Sequence, residues 1–277
     1  MARTHRDRAF ASLNHVLDLE WMLEAYRTTR KDGAAGIDGI TAADYEQNLE
    51  ANLLDLLDRI KSGRYRAPPV RRSYIPKADG SRRPLGIPTF EDKVAQRAIV
   101  MLLEAIYEQD FLCCSYGFRP GRSAHDAVHD LRTALMTQGM RWVLDIDIKR
   151  YFDTIPHDQL RSFLDRRVTD GVVRRMIDKW LKAGVLESGS LTYATEGTPQ
   201  GGVINPPTIL PKAVLARAGW IGCGESAVDA EHDIDVVLVD LDPLDQGADQ
   251  VALHEPVDLA HAIVDPFGEV LEPSDDQ

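Results

Sequence analysis

The sequence predicts an α+β protein, and three observations carry that prediction. Apolar residues recur at helical spacing through several long segments, as at Leu49, Leu53, Leu56 and Ile60. Residues 142–148 alternate strictly, Trp142, Leu144, Ile146 and Ile148 on one side against Val143, Asp145 and Asp147 on the other, which is the period of a strand with one buried face. Two further extended segments turn back on themselves, around residues 78–81 and around Ser188-Gly189. At 277 residues and 44% hydrophobic composition, the chain can bury a sizeable core and form one large domain or two lobes.

Taken in order, residues 12–30 predict an amphipathic helix capped by Ser12, with Leu13, Val16, Leu17, Met22, Leu23 and Tyr26 on its apolar face. The glycine-rich segment 31–39 (KDGAAGIDG) predicts a loop. Thr41 with Asp44 resembles a capping arrangement, although Asp is a weaker partner than Glu in a capping box. Tyr45, Leu49, Leu53, Leu56 and Ile60 then predict one helix, stopped by Gly63. Segments 70–76 and 82–87 predict a hairpin. Residues 91–110 predict a helix with Val94, Ala98, Met101, Leu102 and Ala105 inward, and Ser123 caps another that ends at Gly139. After the alternating strand come helices at 155–168, with Pro156 near the first turn, and at 170–181, with Val172, Val173, Met176, Ile177 and Trp180 inward. Residues 185–194 predict a second hairpin.

Net charge is informative only when the chain is divided. Residues 211–277 hold sixteen acidic and two basic side chains, a charge of −14, which leaves residues 1–210 at +2 of the overall −12. Within residues 59–83, nine basic side chains (Arg59, Lys61, Arg64, Arg66, Arg71, Arg72, Lys77, Arg82 and Arg83) stand against one acid, Asp79. Solvated faces are the commoner origin of such runs, but a run this one-sided points to phosphate contact, which rewards clustered cations through counterion release. Cys113, Cys114 and Cys223 have no metal-ligand spacing and suggest no disulfide framework, so a reducing cytoplasm fits. The opening MARTHRDRAF lacks the apolar run of a signal peptide, and no stretch is long and apolar enough to span a membrane.

The candidate chemistry centres on residues 141–158 (RWVLDIDIKRYFDTIPHD). Residues two apart on a strand lie roughly 6.5 Å apart, so Asp145 and Asp147 can flank a site but cannot close a two-carboxylate cage alone. A lone Asp at a strand end is usually solvated or a helix cap. Three acids beside the aromatic pair Tyr151-Phe152 are better explained by a hard divalent cation, because Mg²⁺ is held by one or two carboxylates and completed by phosphates and water.

Residues 147–158, DIKRYFDTIPHD, resemble the catalytic block of bacterial group II intron reverse transcriptases, in which an Asp opens the block and an aromatic residue follows five positions later. Four more blocks follow the same family's order: AGIDG with Thr41, YIPKADGSRRPLGIPT (74–89), SYGFRPGRS (115–123) and GTPQGGVIN (197–205). The resemblance implies fingers over a polymerase palm, and RNA-directed DNA synthesis with Mg²⁺, a dNTP, a group II intron RNA template and a DNA or RNA primer. It implies that Asp147 ligates metal, that Phe152 rejects a ribose 2′-OH, and that Lys77 and Arg83 hold the dNTP. Gln200 and Gly201 would lie against the nascent base pair and sugar. Arg71, Arg72, Tyr116, Arg119 and Arg122 would contact nucleic acid; Tyr116 and Phe118 suit a core equally well.

The resemblance stops after Ile204, where Asn205-Pro206-Pro207 and Pro211 cannot continue the family's apolar helix. No Tyr-Ala-Asp-Asp follows. The nearest acids before an apolar run are Asp233 and Asp235, of which Asp235 is the candidate second metal ligand. The expectation is a fingers-like region at 1–125, a partial palm at 126–205 and an acidic tail at 206–277, partly disordered or non-native after a truncation or frame shift. As it stands, such a chain is expected to be an inactive polymerase fragment, the alternative being an RNA-binding remnant without catalysis. Oligomeric state is not legible.

Overall fold

The computed structural model describes residues 8–76, 80, 82–138, 142–148, 154–194 and 196–197, with strands at 234–240, 263–264 and 270–271; residues 142–148 and the last three strands are described as backbone. The order is α1 (Leu19–Thr28), α2 (Ala42–Glu46), α3 (Leu49–Lys61), β1 (Val70–Pro76), β2 (Arg82–Ile87), α4 (Phe90–Tyr107), α5 (Ala124–Gln138), β3 (Trp142–Ile148), α6 (His157–Arg167), α7 (Gly171–Leu181), β4 (Val185–Glu187), β5 (Ser190–Thr192), β6 (Ile234–Asp240), β7 (Ile263–Val264) and β8 (Val270–Leu271). The fold is therefore mixed α and β, as the periodicities predict. No helix of the described residues is long and apolar enough to cross a membrane.

Helix α4 is the hub. It buries residues on more than one face, among them Val94, Ala95, Ala98, Ile99, Leu102, Leu103 and Ile106, and its core continues into α1, α3, α6 and α7. Trp21 of α1 donates from Nε1 to the Ala98 carbonyl at 2.9 Å, while Phe90 meets the edges of Tyr26 and Tyr45. All five predicted inward residues of α7 are buried. On α4, Val94, Ala98 and Leu102 are buried and Met101 is half-buried, but Ala105 is exposed.

Helical boundaries differ most from the sequence reading at two places. α1 begins at Leu19, capped by Asp18, not Ser12. The preceding residues are drawn elsewhere: the Leu13 and Asn14 amides donate to Asp170 Oδ2 at 2.7 and 3.1 Å, and Phe10 bridges Val168. The stripe from Tyr45 to Ile60 is two helices. It breaks at Gln47-Asn48, where Asn52 Nδ2 donates to the Tyr45 carbonyl at 2.9 Å and satisfies an end that would otherwise be orphaned. Thr41 and Asp44 form both bonds of a capping box despite the shorter acid.

Both predicted hairpins form. β1 pairs antiparallel with β2 and β4 with β5, but they join through a parallel β1–β4 contact, Val70 opposite Val185, into one sheet of order β2-β1-β4-β5. β3 pairs antiparallel with β6, which sets Asp147 opposite Asp235 and Asp145 opposite Val237.

Candidate functional site

The hairpin β1–β2 carries much of the basic run, and its partners divide the cations into two groups. Arg71 donates to the Ala35 carbonyl from Nε (3.2 Å) and Nη2 (2.7 Å). Arg72 lies 3.8 Å from Glu187 of β4, which also accepts from the Tyr74 hydroxyl. Before the hairpin, Arg59 pairs with Asp55 at 2.7 Å and Glu91 at 2.9 Å, and Arg64 pairs with Asp58. Arg82 and Arg83 are exposed at the far end of β2 and form no ion pair among the described residues. Arg83 stands opposite Ile75. Lys77 lies outside the described residues.

The glycine-rich loop docks on this region. Lys93 of α4 donates to the Ala34 carbonyl at 2.7 Å beside the Arg71–Ala35 tie, and burial pulls the Lys93 ammonium below its usual range. A Cβ on Gly36 would sit 2.5 Å from Thr89 Cα and 2.6 Å from Thr89 N. The glycine is therefore required by close backbone approach, not by a turn alone.

The loop 111–123 is organised by Arg119. Its Nε and Nη2 reach Glu108 at 3.2 and 2.6 Å, and its Nη1 donates to the Leu112 and Ser115 carbonyls at 2.9 and 2.6 Å. With its side chain 6% exposed and its guanidinium 4.7 Å from the Phe111 ring centroid, Arg119 holds the loop together from within. Arg122 is exposed and lies 5.3 Å over the half-buried Tyr116 ring, whose hydroxyl donates to Asp130. Phe118, left open between core and contact by its sequence, is 61% exposed.

On β3, Asp147 sits one residue from the strand's end. Phe152, Gln200 and Gly201 lie outside the described residues, but the segments that lead to them are tied together. The Gly197 amide donates to the Ile155 carbonyl at 2.8 Å, and His157 Nε2 donates to the Gly197 carbonyl at 2.8 Å. Gly197 adopts φ 76°, the left-handed region that glycine accepts without strain. The exit of the Asp147 block thus meets the entry of the GTPQGG block. Sequence spacing showed neither this tie nor the roles of Glu108, Glu187 and Lys93, because a lone charged residue does not identify its partner. Among the described residues no group of three or more His, Cys, Asp or Glu side chains converges as a metal site.

Residues 75–210 match the family model described as reverse transcriptase (RNA-dependent DNA polymerase). The chain is 42% identical over 200 residues to Protein YkfC of Escherichia coli K12, covering 70% of this chain and 52% of that protein. It is 38% identical over 202 residues to the group II intron-encoded protein LtrA of Lactococcus lactis, covering 72% of this chain and 33% of LtrA. It is 31% identical over 199 residues to the putative COX1/OXI3 intron 2 protein of Saccharomyces cerevisiae, covering 70% of this chain and 23% of that protein. The chain thus spans about half the length of YkfC and a third of LtrA. Residues 75–210 of this chain are thus of the reverse transcriptase family, and the relatives that carry the similarity over about 70% of the chain include a group II intron-encoded protein.

Proposed function

We propose that this chain serves RNA-templated DNA synthesis by providing the surfaces that hold template, primer and incoming dNTP, with residues 1–125 as fingers and 126–205 as the first part of a palm. The observation that carries the reading is the tie of Gly197 to Ile155 and His157 at 2.8 Å. It joins the two blocks that carry Phe152, which would reject a ribose 2′-OH, and Gln200-Gly201, which would lie against the nascent base pair and sugar. Arg83, exposed and without an ion pair among the described residues, is the described cation best suited to a triphosphate, and Lys77 would join it. A guanidinium fork matches phosphate oxygens. Arg82 and Arg122 would meet the nucleic-acid backbone. Arg71, Arg72 and Arg119, already bound within the protein, would instead position the loops that make contact. A group II intron RNA is the template class that the similarity to a group II intron-encoded protein favours.

The donor set suits a divalent metal. Asp147 and Asp235 are register partners on adjacent strands, and directly opposed residues share one face of a sheet with Cβ atoms roughly 5 Å apart. Carboxylates in that relation can hold one Mg²⁺, with water and substrate phosphate completing its shell. When bound, that ion supplies charge neutralisation at the reacting phosphates. The chain's own part is to present Asp147 to the metal, Arg83 to the triphosphate and the Gly197 tie to both segments.

The test is equilibrium binding by the full chain of an RNA template–primer, and of a dNTP in the presence of Mg²⁺. RNA affinity should fall steeply as salt rises. Arg83→Glu should weaken dNTP binding about tenfold or more, the scale of one charge-assisted contact, while RNA affinity shifts less. Salt-independent RNA binding, or dNTP affinity unmoved by the reversal, would count against the reading.

A further inference from the structure

One exposed aromatic residue combines two unfavourable features. Phe118 is 61% exposed, and its φ of 57° lies in the left-handed region, where a bulky residue is an outlier. Neither feature follows from a loose loop. The next residue, Arg119, fixes the backbone on the near side through Leu112 and Ser115 and anchors it to α4's end through Glu108. The loop is also closed by the Ser115 amide on Leu112 O at 3.1 Å and the Arg122 amide on Arg119 O at 3.3 Å. The fold therefore holds a flat apolar ring toward solvent in a conformation glycine would adopt more easily, as Gly121 nearby does at φ 69°. Residues kept in sparsely populated backbone regions by a well-tied surround recur where a ligand is gripped.

We propose that Phe118 is a stacking platform for an unpaired base of the bound RNA strand. The ring is largely open to solvent, and Arg122, four residues on and exposed over Tyr116, adds a cation to the same loop. Aromatic face and guanidinium together form the recognition chemistry of single-stranded nucleic acid. Double-stranded RNA has no unstacked base to offer, so the contribution should be confined to single strands. The proposal rests on the reading of this chain as an RNA binder and adds a site to it.

The experiment measures affinity of the full chain for a single-stranded RNA oligonucleotide and for a blunt RNA duplex of equal length, across a salt series, alongside thermal midpoints. Phe118→Ala should lower single-strand affinity about 5- to 150-fold, the range of one base–aromatic stack. It should leave duplex affinity within about twofold and leave the slope of log K on log salt unchanged, because a ring neutralises no phosphate. Phe118→Trp should restore binding. Phe118→Gly should lose the same affinity with a thermal midpoint no lower than the parent's, because glycine relieves the left-handed backbone. A parent chain that binds RNA while the Ala and Gly variants bind single strands equally well would overturn the platform and leave the RNA-binding reading intact. Equal weakening on duplex, or a lowered midpoint in Phe118→Gly, would make the ring structural and also overturn it. Failure of the parent chain to bind RNA at all would remove both.

Discussion

Buried carboxylates show how far a residue's neighbours, and not its type, decide its chemistry. Asp92 is 2% exposed and accepts from Tyr65 Oη, from Trp180 Nε1 at 2.6 Å and from Gln96 Nε2 at 2.9 Å. Burial nonetheless pushes its carboxyl above the usual range, outweighing those donors. Asp170 is buried too, which pulls it upward, but amides of Leu13, Val173, Asn14 and Val172 overcome that and hold it below the usual range. The two should leave opposite marks on acid stability. Asp170's contribution is present above the unfolded pKa of about 3.9 and is lost as pH falls through its lower folded value. Asp92's is complete below that unfolded value and is lost as pH rises through its higher folded one. In midpoint-against-pH curves, Asp170→Asn should therefore flatten the acid limb and Asp92→Asn should steepen it; matching slopes in the two variants would show that these carboxylates do not titrate as their surroundings indicate. Asp170→Ala should cost about 2 kcal/mol or more, since it orphans amides at both the α7 cap and the Leu13 turn. The sequence marked Asp170 as opening a helix, but its second role, 157 residues away at Leu13, has no local signature.

Element existence was legible where a period repeats several times. α4, α6, α7 and the strands of both hairpins appear within a few residues of their predicted places, because apolar spacing reports the face that the core will cover. What spacing misses is competition. The 12–30 segment has a helical stripe over its whole length, yet Asp170 takes the amides of Leu13 and Asn14 and Asp18 supplies the cap that starts α1. Likewise the glycine loop read as turn-making, whereas Gly36 is dictated by contact with the Pro88-Thr89 backbone. Gly36→Ala should cost about 1–3 kcal/mol, the range for overpacking against atoms that cannot yield. Gly33→Ala, whose Cβ would meet only the Lys93 ammonium at 3.5 Å, should stay within about 0.5 kcal/mol. Denaturant midpoints of the two variants test this, and equal losses would mean the loop tolerates no added carbon anywhere, so that close approach at Gly36 is not the cause.

At the scale of the whole molecule, the α+β class and the ordered blocks were readable, while strand partnership was not. A strand's period names its buried face but not its neighbour, so neither the parallel β1–β4 junction nor the pairing of β3 with β6 could be foreseen. The second bears on catalysis. Two-metal phosphoryl transfer, with ions about 3.5–4 Å apart, draws carboxylates from more than one strand. β6 brings one acid position opposite Asp147, and Asp145 faces Val237 instead. On the proposed reading, that arrangement would serve one cation and leave a second short of ligands. The full chain should therefore bind template–primer and dNTP yet incorporate no labelled dNTP above the level of Asp147→Ala in the presence of Mg²⁺. Incorporation that disappears in Asp147→Ala would overturn this. If it also fell in Asp235→Ala while RNA affinity held, β6 would be supplying the second carboxylate that Tyr-Ala-Asp-Asp supplies in the family, and the register of Asp147 with Asp235 would be the reason the chain can do without that motif.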